Sequence, residues 1–122
     1  PIEIRCQGAG LGQPYCIDGF LAENNDINVD TGNSTIWAFS VENLYLLNNK
    51  ITSKKKLNDD VKPVLIQNSH IANIDGLTLD YENQPVNNVI TMVGCDVDMN
   101  NITNVKSMHN NDGLINNFAP VN

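Results

Sequence analysis

Apolar residues in this chain fall into short runs of alternating character, such as Val97-Asp98-Met99 and Leu77-Thr78-Leu79, and short polar stretches separate one run from the next. Alternation with a period of two is the pattern of a strand with one buried face. The runs begin at Ile36-Trp37-Ala38-Phe39-Ser40-Val41, Val64-Leu65-Ile66 and Val89-Ile90-Thr91-Met92-Val93. Each continues through further apolar positions: Leu44 to Leu47 after the first, Ile71 to Leu79 after the second, and Val97, Met99, Ile102 and Val105 after the third. Asn, Asp, Gly and Ser fill the gaps, and no stretch of ten residues carries apolar residues at helical spacing with caps. The pattern predicts short strands joined by tight corners.

A phrase recurs within it: an apolar residue, Asp or Asn, Gly or Asn, then another apolar residue. It reads Ile17-Asp18-Gly19-Phe20, Leu47-Asn48-Asn49-Lys50-Ile51, Ile74-Asp75-Gly76-Leu77 and Met99-Asn100-Asn101-Ile102, at intervals of 30, 27 and 25 residues. That spacing is the length of one winding of a solenoid. The expectation is an all-β chain wound as a right-handed parallel β-helix of about four to five coils, with an antiparallel β-sandwich as the alternative. Residues 1–13 are expected to form an N-terminal extension or cap. Residues 14–122 are expected to form the coils, with loop insertions at 52–62 and 81–88.

Composition sharpens this reading. Twenty-one asparagines, many in Asn-Asn pairs, favour turns over helix interiors because Asn tolerates left-handed backbone and bonds locally. Fourteen acidic against seven basic residues give a net charge of −7, with Lys54-Lys55-Lys56 as the one basic cluster. Such a balance argues against nucleic-acid binding and against docking on an anionic membrane. No apolar run approaches the length that spans a bilayer. Cys6, Cys16 and Cys95 lack zinc or redox spacing, and Cys6 with Cys16 reads either as a small-loop disulfide or as two buried thiols.

The corner phrases, with Asn49 and Asn101 in one column and Gly19 and Gly76 as its other members, resemble the asparagine-bearing turns of the pectate-lyase-like β-helix superfamily. Their Asn-rich style is similar to that of phage tailspike shafts. The resemblance covers roughly residues 14 to 118 and concerns the fold; it carries no active-site signature. It implies an extracellular or virion-associated protein that meets a polysaccharide or oligosaccharide, with a homotrimer among the assemblies expected.

For chemistry, glycoside hydrolysis needs two carboxyl groups about 5 to 9.5 Å apart, and adjacent windings place equivalent positions about 4.8 Å apart. Asp80 and Glu82 follow one strand, and Asp96 and Asp98 lie on the next winding, so these four form the best candidate catalytic cluster; they read equally as a solvated acidic face. Asp18 and Asp75 are expected to share a column two coils apart. His70 and His109 lack a third ligand, so neither a metal nor a cofactor is expected. Trp37, Tyr45 and Tyr81 are candidates for stacking on sugar rings. Trp37 and Phe39 are expected to divide between surface and core. The function expected is structural support and carbohydrate recognition. Enzymatic activity stays open, with a glycoside hydrolase or a purely structural adhesin module as alternatives.

Overall fold

The computed structural model describes residues 2–4, 14–82, 86 and 88–108, together with the backbone of 115–118. Its strands are β1 (Ile2–Ile4), β2 (Phe20–Glu23), β3 (Asp26–Val29), β4 (Ile36–Phe39), β5 (Leu44–Ser53), β6 (Val64–Gln67), β7 (His70–Tyr81), β8 (Ile90–Val93), β9 (Asp96–Val97), β10 (Ile102–Ser107) and β11 (Ile115–Phe118). A single 3₁₀ turn at Met99–Asn101 separates β9 from β10. One sheet runs β1-β4-β6-β8-β11; the other runs β10-β7-β5-β2, with β3 also on β5 and β9 also on β7.

Every one of these pairings is parallel, and each joins a strand to its counterpart one winding away. The molecule is therefore a β-solenoid of about three turns, and the antiparallel sandwich is ruled out. The count is lower than the four to five expected. Residues 2–4 pair as β1 with β4, and β5 runs to Ser53.

Stacking turns the sequence into columns. The inward columns are Ile36-Val64-Ile90 and Ala38-Ile66-Met92 in the first sheet. In the second they are Ala22-Leu46-Ile74-Ile102 and Ile27-Ile51-Leu79. All of these are buried except Ile27, which packs half-buried against them. Burial of such side chains is the main stabilising term, about 1.5–3 kcal/mol for each large aliphatic group.

The corners are set by backbone sign. After the first sheet, Ser40, Asn68 and Gly94 share one corner, with φ of 65°, 44° and 64°. Within the second sheet the long strands bend at a column of Asn24, Asn48, Gly76 and Asn104, with φ of 57°, 56°, 78° and 56°. Gly and Asn are the residues that enter the left-handed region at least cost, which accounts for the asparagines at these corner positions. The recurring phrase marks this column only in part. Leu47 pairs with Asp75 and Asn49 with Leu77, so the phrases at Leu47 and Ile74 are offset by one residue. The phrases at Ile17 and Met99 lie elsewhere, since Phe20 pairs with Leu44 and Ile102 with Ile74.

Side chains reinforce the second column. Asn48 donates to Asn24 Oδ1 at 2.8 Å, and the buried Asn49 accepts from the Asn25 amide group at 2.9 Å while donating to the Ala22 carbonyl at 3.0 Å. Asp75 accepts from Thr103 at 2.9 Å and from Asn104 at 2.7 Å. The bonds of Asn49 satisfy a buried amide, and the others tie exposed corner side chains of adjacent windings together.

Candidate functional site

Chain alternation places Glu3, Trp37, Leu65 and Thr91 in one outward column of the first sheet. Trp37 and Phe39 are two residues apart and so share a face; both are half-buried on the outside, while Ile36 and Ala38 point inward. The expected division of the two rings between core and surface is thus corrected by the strand period itself. The Trp37 indole N–H donates to Gln67 Oε1 at 2.7 Å, a diagonal bond to the next strand that fixes the ring plane.

A groove of about 420 Å³ is lined by Trp37 and Leu65, by Asn33 and Ser34 ahead of β4, by Asp60, Val61 and Lys62 ahead of β6 on the next winding, and by Ile2 and Glu3. Asp60, Val61 and Lys62 belong to the insertion at 54–62, which forms one wall together with Asn33 and Ser34. That insertion is pinned to the preceding winding: the Asn58 amide donates to the Gly32 carbonyl at 2.9 Å, and Asn58 Nδ2 donates to Asn33 Oδ1 at 3.1 Å. Ser34 Oγ donates to the Lys62 carbonyl. Gly32 permits the approach, because a Cβ there would lie 2.4 Å from Asn58 Oδ1 and 2.9 Å from the Lys56 carbonyl. Within the wall Asp60 holds φ of 61°, a left-handed angle outside the two corner columns. Strain of this kind persists where surrounding contacts impose it, and it concentrates at binding sites.

The four acidic candidates lie elsewhere. Asp80 precedes Tyr81 at the end of β7, and Glu82 follows, its amide bonded to the Ser53 carbonyl at 3.0 Å. Asp96 pairs with His70 at the start of β7, and Asp98 caps the 3₁₀ turn by accepting from the Asn100 amide at 2.9 Å. The two pairs thus flank the full length of β7 and its bend at Gly76, instead of facing each other. Asp18 does not share a column with Asp75, whose neighbours across β5 and β10 are Leu47 and Thr103.

His70 Nδ1 sits 2.8 Å from the Glu42 carbonyl and 3.1 Å from Asn43 Oδ1. A carbonyl only accepts, so Nδ1 carries the proton and the ring serves as a corner brace. His109 lies outside the described residues. Among the described residues, no group of three His, Cys, Asp or Glu side chains is arranged to hold a metal ion. Cys16 is disulfide-bonded and Cys95 is a free thiol whose ionisation burial pushes up; Cys6 lies outside the described residues.

Of the three candidate rings, Tyr81 is 1% exposed, with its hydroxyl 3.1 Å from Thr35 Oγ1. It is a core residue, closing the inward column Val29-Ser53-Tyr81, and no sugar reaches its face. Tyr45 is exposed on the second sheet beside Leu21, above an open hollow with Asp18 and Asn43. Trp37 alone of the three combines a fixed ring, a walled groove and polar groups on several sides. Glu3, Asn33, Asp60, Lys62 and Gln67 were not singled out from the sequence; the column register supplies Glu3, but the insertion's path over Gly32 has no sequence signature.

The chain matches no protein-family model, no curated protein and no solved structure.

Proposed function

We propose that this chain is a carbohydrate-recognition segment of an extracellular or virion-borne β-helical protein, of the style of the pectate-lyase-like superfamily and its phage tailspikes, and that a sugar ring stacks on Trp37. One observation carries the reading: an indole anchored by Gln67 on the outer face of the first sheet, lining a groove with Asn33, Ser34, Glu3, Asp60 and Lys62. Sugars bind through apolar C–H faces against aromatic rings and through hydroxyls that both donate and accept. A ring platform rimmed by amides, a hydroxyl, carboxylates and an ammonium serves both needs. The acids Asp80, Glu82, Asp96 and Asp98 lend no comparable support to hydrolysis, because the two pairs stand at opposite ends of β7.

Trp37 is the single tryptophan of the chain, so its fluorescence reports the site directly. Titration with a panel of neutral, acetylated and amino oligosaccharides is expected to quench or shift it for at least one member. Trp37→Ala is expected to weaken that binding about tenfold or more, read by calorimetry, with the β-sheet circular dichroism retained and a lowered melting temperature, because the half-buried ring and its bond to Gln67 are lost. Unchanged fluorescence across the whole panel would leave a purely structural module.

A further inference from the structure

We propose that this solenoid stacks end to end on a second copy of itself, the outer edge of β10 in one copy pairing in parallel with the outer edges of β2 and β3 in the next. The inference goes beyond the sugar-binding reading and does not depend on it.

The second sheet ends on β10 at one side and on β2 and β3 at the other, and among the described residues neither edge has a backbone partner. Such an edge is a row of free N–H and C=O groups that templates another strand, and the terminal windings of a solenoid need a cover. Three features fit these two edges to each other.

The first is shape. Both edges bend at the same corner column, where Asn24 and Asn104 hold φ of 57° and 56°, so the two run side by side past the bend. The second is register. From β2 and β3 to β10 the columns step Ala22-Leu46-Ile74-Ile102 and Asp26-Lys50-Thr78-Lys106. One further step of the same ladder sets Ala22 of the next copy on Ile102, Asn24 on Asn104 and Asp26 on Lys106. The inward apolar column is thereby continued, and so is the asparagine ladder. Asn48 donates to Asn24 Oδ1 at 2.8 Å one winding away, and Asn104 Oδ1, which accepts no bond among the described residues, takes the same bond from Asn24 of the next copy. Asparagine ladders of this kind stabilise stacked parallel strands.

The third feature is charge, and it sets the direction. β10 carries Lys106 and no acid, whereas β2 and β3 carry Glu23 and Asp26 and no cation, and both Lys106 and Asp26 are exposed. Head-to-tail stacking sets opposite charges together; pairing β10 with β10, or β2 with β2, brings like charges together. A head-to-tail contact is heterologous, so it does not close on two copies and repeats into a rod.

The test is sedimentation velocity over the micromolar to millimolar range, in moderate salt because a charge of −7 on each copy opposes association when unscreened. The sedimentation coefficient is expected to rise continuously with concentration. Lys106→Glu is expected to weaken association about five- to tenfold, and adding Asp26→Lys to the same chain is expected to restore most of it. Circular dichroism checks that each variant keeps its strands. Direction is read by mixing an Asp26→Cys variant with a Lys106→Cys variant under mild oxidation: a cross-linked pair is expected from the mixture and from neither variant alone, with the unsubstituted protein as the control for its own thiols.

A monomer at every concentration would overturn the inference. Cross-linking of either variant with itself would also overturn it, since that is the mark of a two-fold contact. A closed oligomer indifferent to Lys106→Glu would do the same, by showing that copies meet through another face.

Discussion

At the scale of single residues, the outward column of the first sheet carries both Trp37 and a stored defect. Thr91 is 2% exposed, and its hydroxyl finds no hydrogen-bond partner among the described residues. A buried hydroxyl without a partner carries its full desolvation penalty, and Val matches Thr in shape without it. Thr91→Val is therefore expected to stabilise the protein by about 1 kcal/mol in urea titrations, with an unchanged denaturant slope. A destabilised variant would mean that the hydroxyl has a partner in solution. Tyr81 teaches the converse. Aromatic character alone suggested a surface ring, but its inward register, and a Thr35 hydroxyl within bonding distance, make it a satisfied core residue.

At the scale of elements, the groove depends on one close contact between a corner and an insertion. Gly32→Ala would place a methyl group 2.4 Å from Asn58 Oδ1 and 2.9 Å from the Lys56 carbonyl, and since the second atom is backbone, the insertion must move. The substitution is expected to cost about 1–3 kcal/mol of stability. It is also expected to weaken sugar binding at Trp37 several-fold, because the wall bearing Asp60 and Lys62 shifts. Full stability with weakened binding would show the insertion repositioned without strain; unchanged binding would show that the wall is not part of the site. The strands themselves were legible in the chain: alternation located β4, β6 and β8, and the recurrence length identified a winding. Register was less legible. The corners require a backbone angle that Asn, Ser and Gly all supply, so side-chain identity does not mark the left-handed residue uniquely. A phrase built on Asp-Gly and Asn-Asn therefore matched Asn100, in a 3₁₀ turn, as readily as Asn48, at a true corner. The site was half legible for the same reason. Trp37 was identifiable as a ring on a strand, whereas its surroundings come from a neighbouring winding and an insertion whose placement follows from packing.

At the scale of the whole molecule, a solenoid is stabilised by each winding resting on the next, so its stability is close to a sum of neighbour terms and its end windings open most easily. The clasp between the last two windings of the second sheet includes one titratable group. Asp75 accepts from both Asn104 and Thr103, and these two bonds, Asn104's the stronger, hold its carboxyl below the ordinary value of 3.8. A carboxylate whose folded pKa is depressed binds fewer protons than in the unfolded chain as pH falls past the ordinary value. Its stabilising contribution is therefore complete above that value and disappears as pH drops through the folded one. The loss is local, because among the described residues the Asp75 carboxylate bonds to Thr103 and Asn104 of β10. Amide exchange is thus expected to show β10 opening faster at pH 3 than at pH 6, by a larger factor than Leu46 or Ile66 in the central windings. Falling pH also discharges the other carboxylates and relieves the repulsion of a chain at −7, which affects all windings together. Asp75→Asn separates the two effects: it removes the titrating group, so β10 should exchange at the same rate relative to the centre at both pH values. If wild-type β10 and the central windings respond to acid in parallel, the clasp plays no part, and the windings open as one cooperative unit.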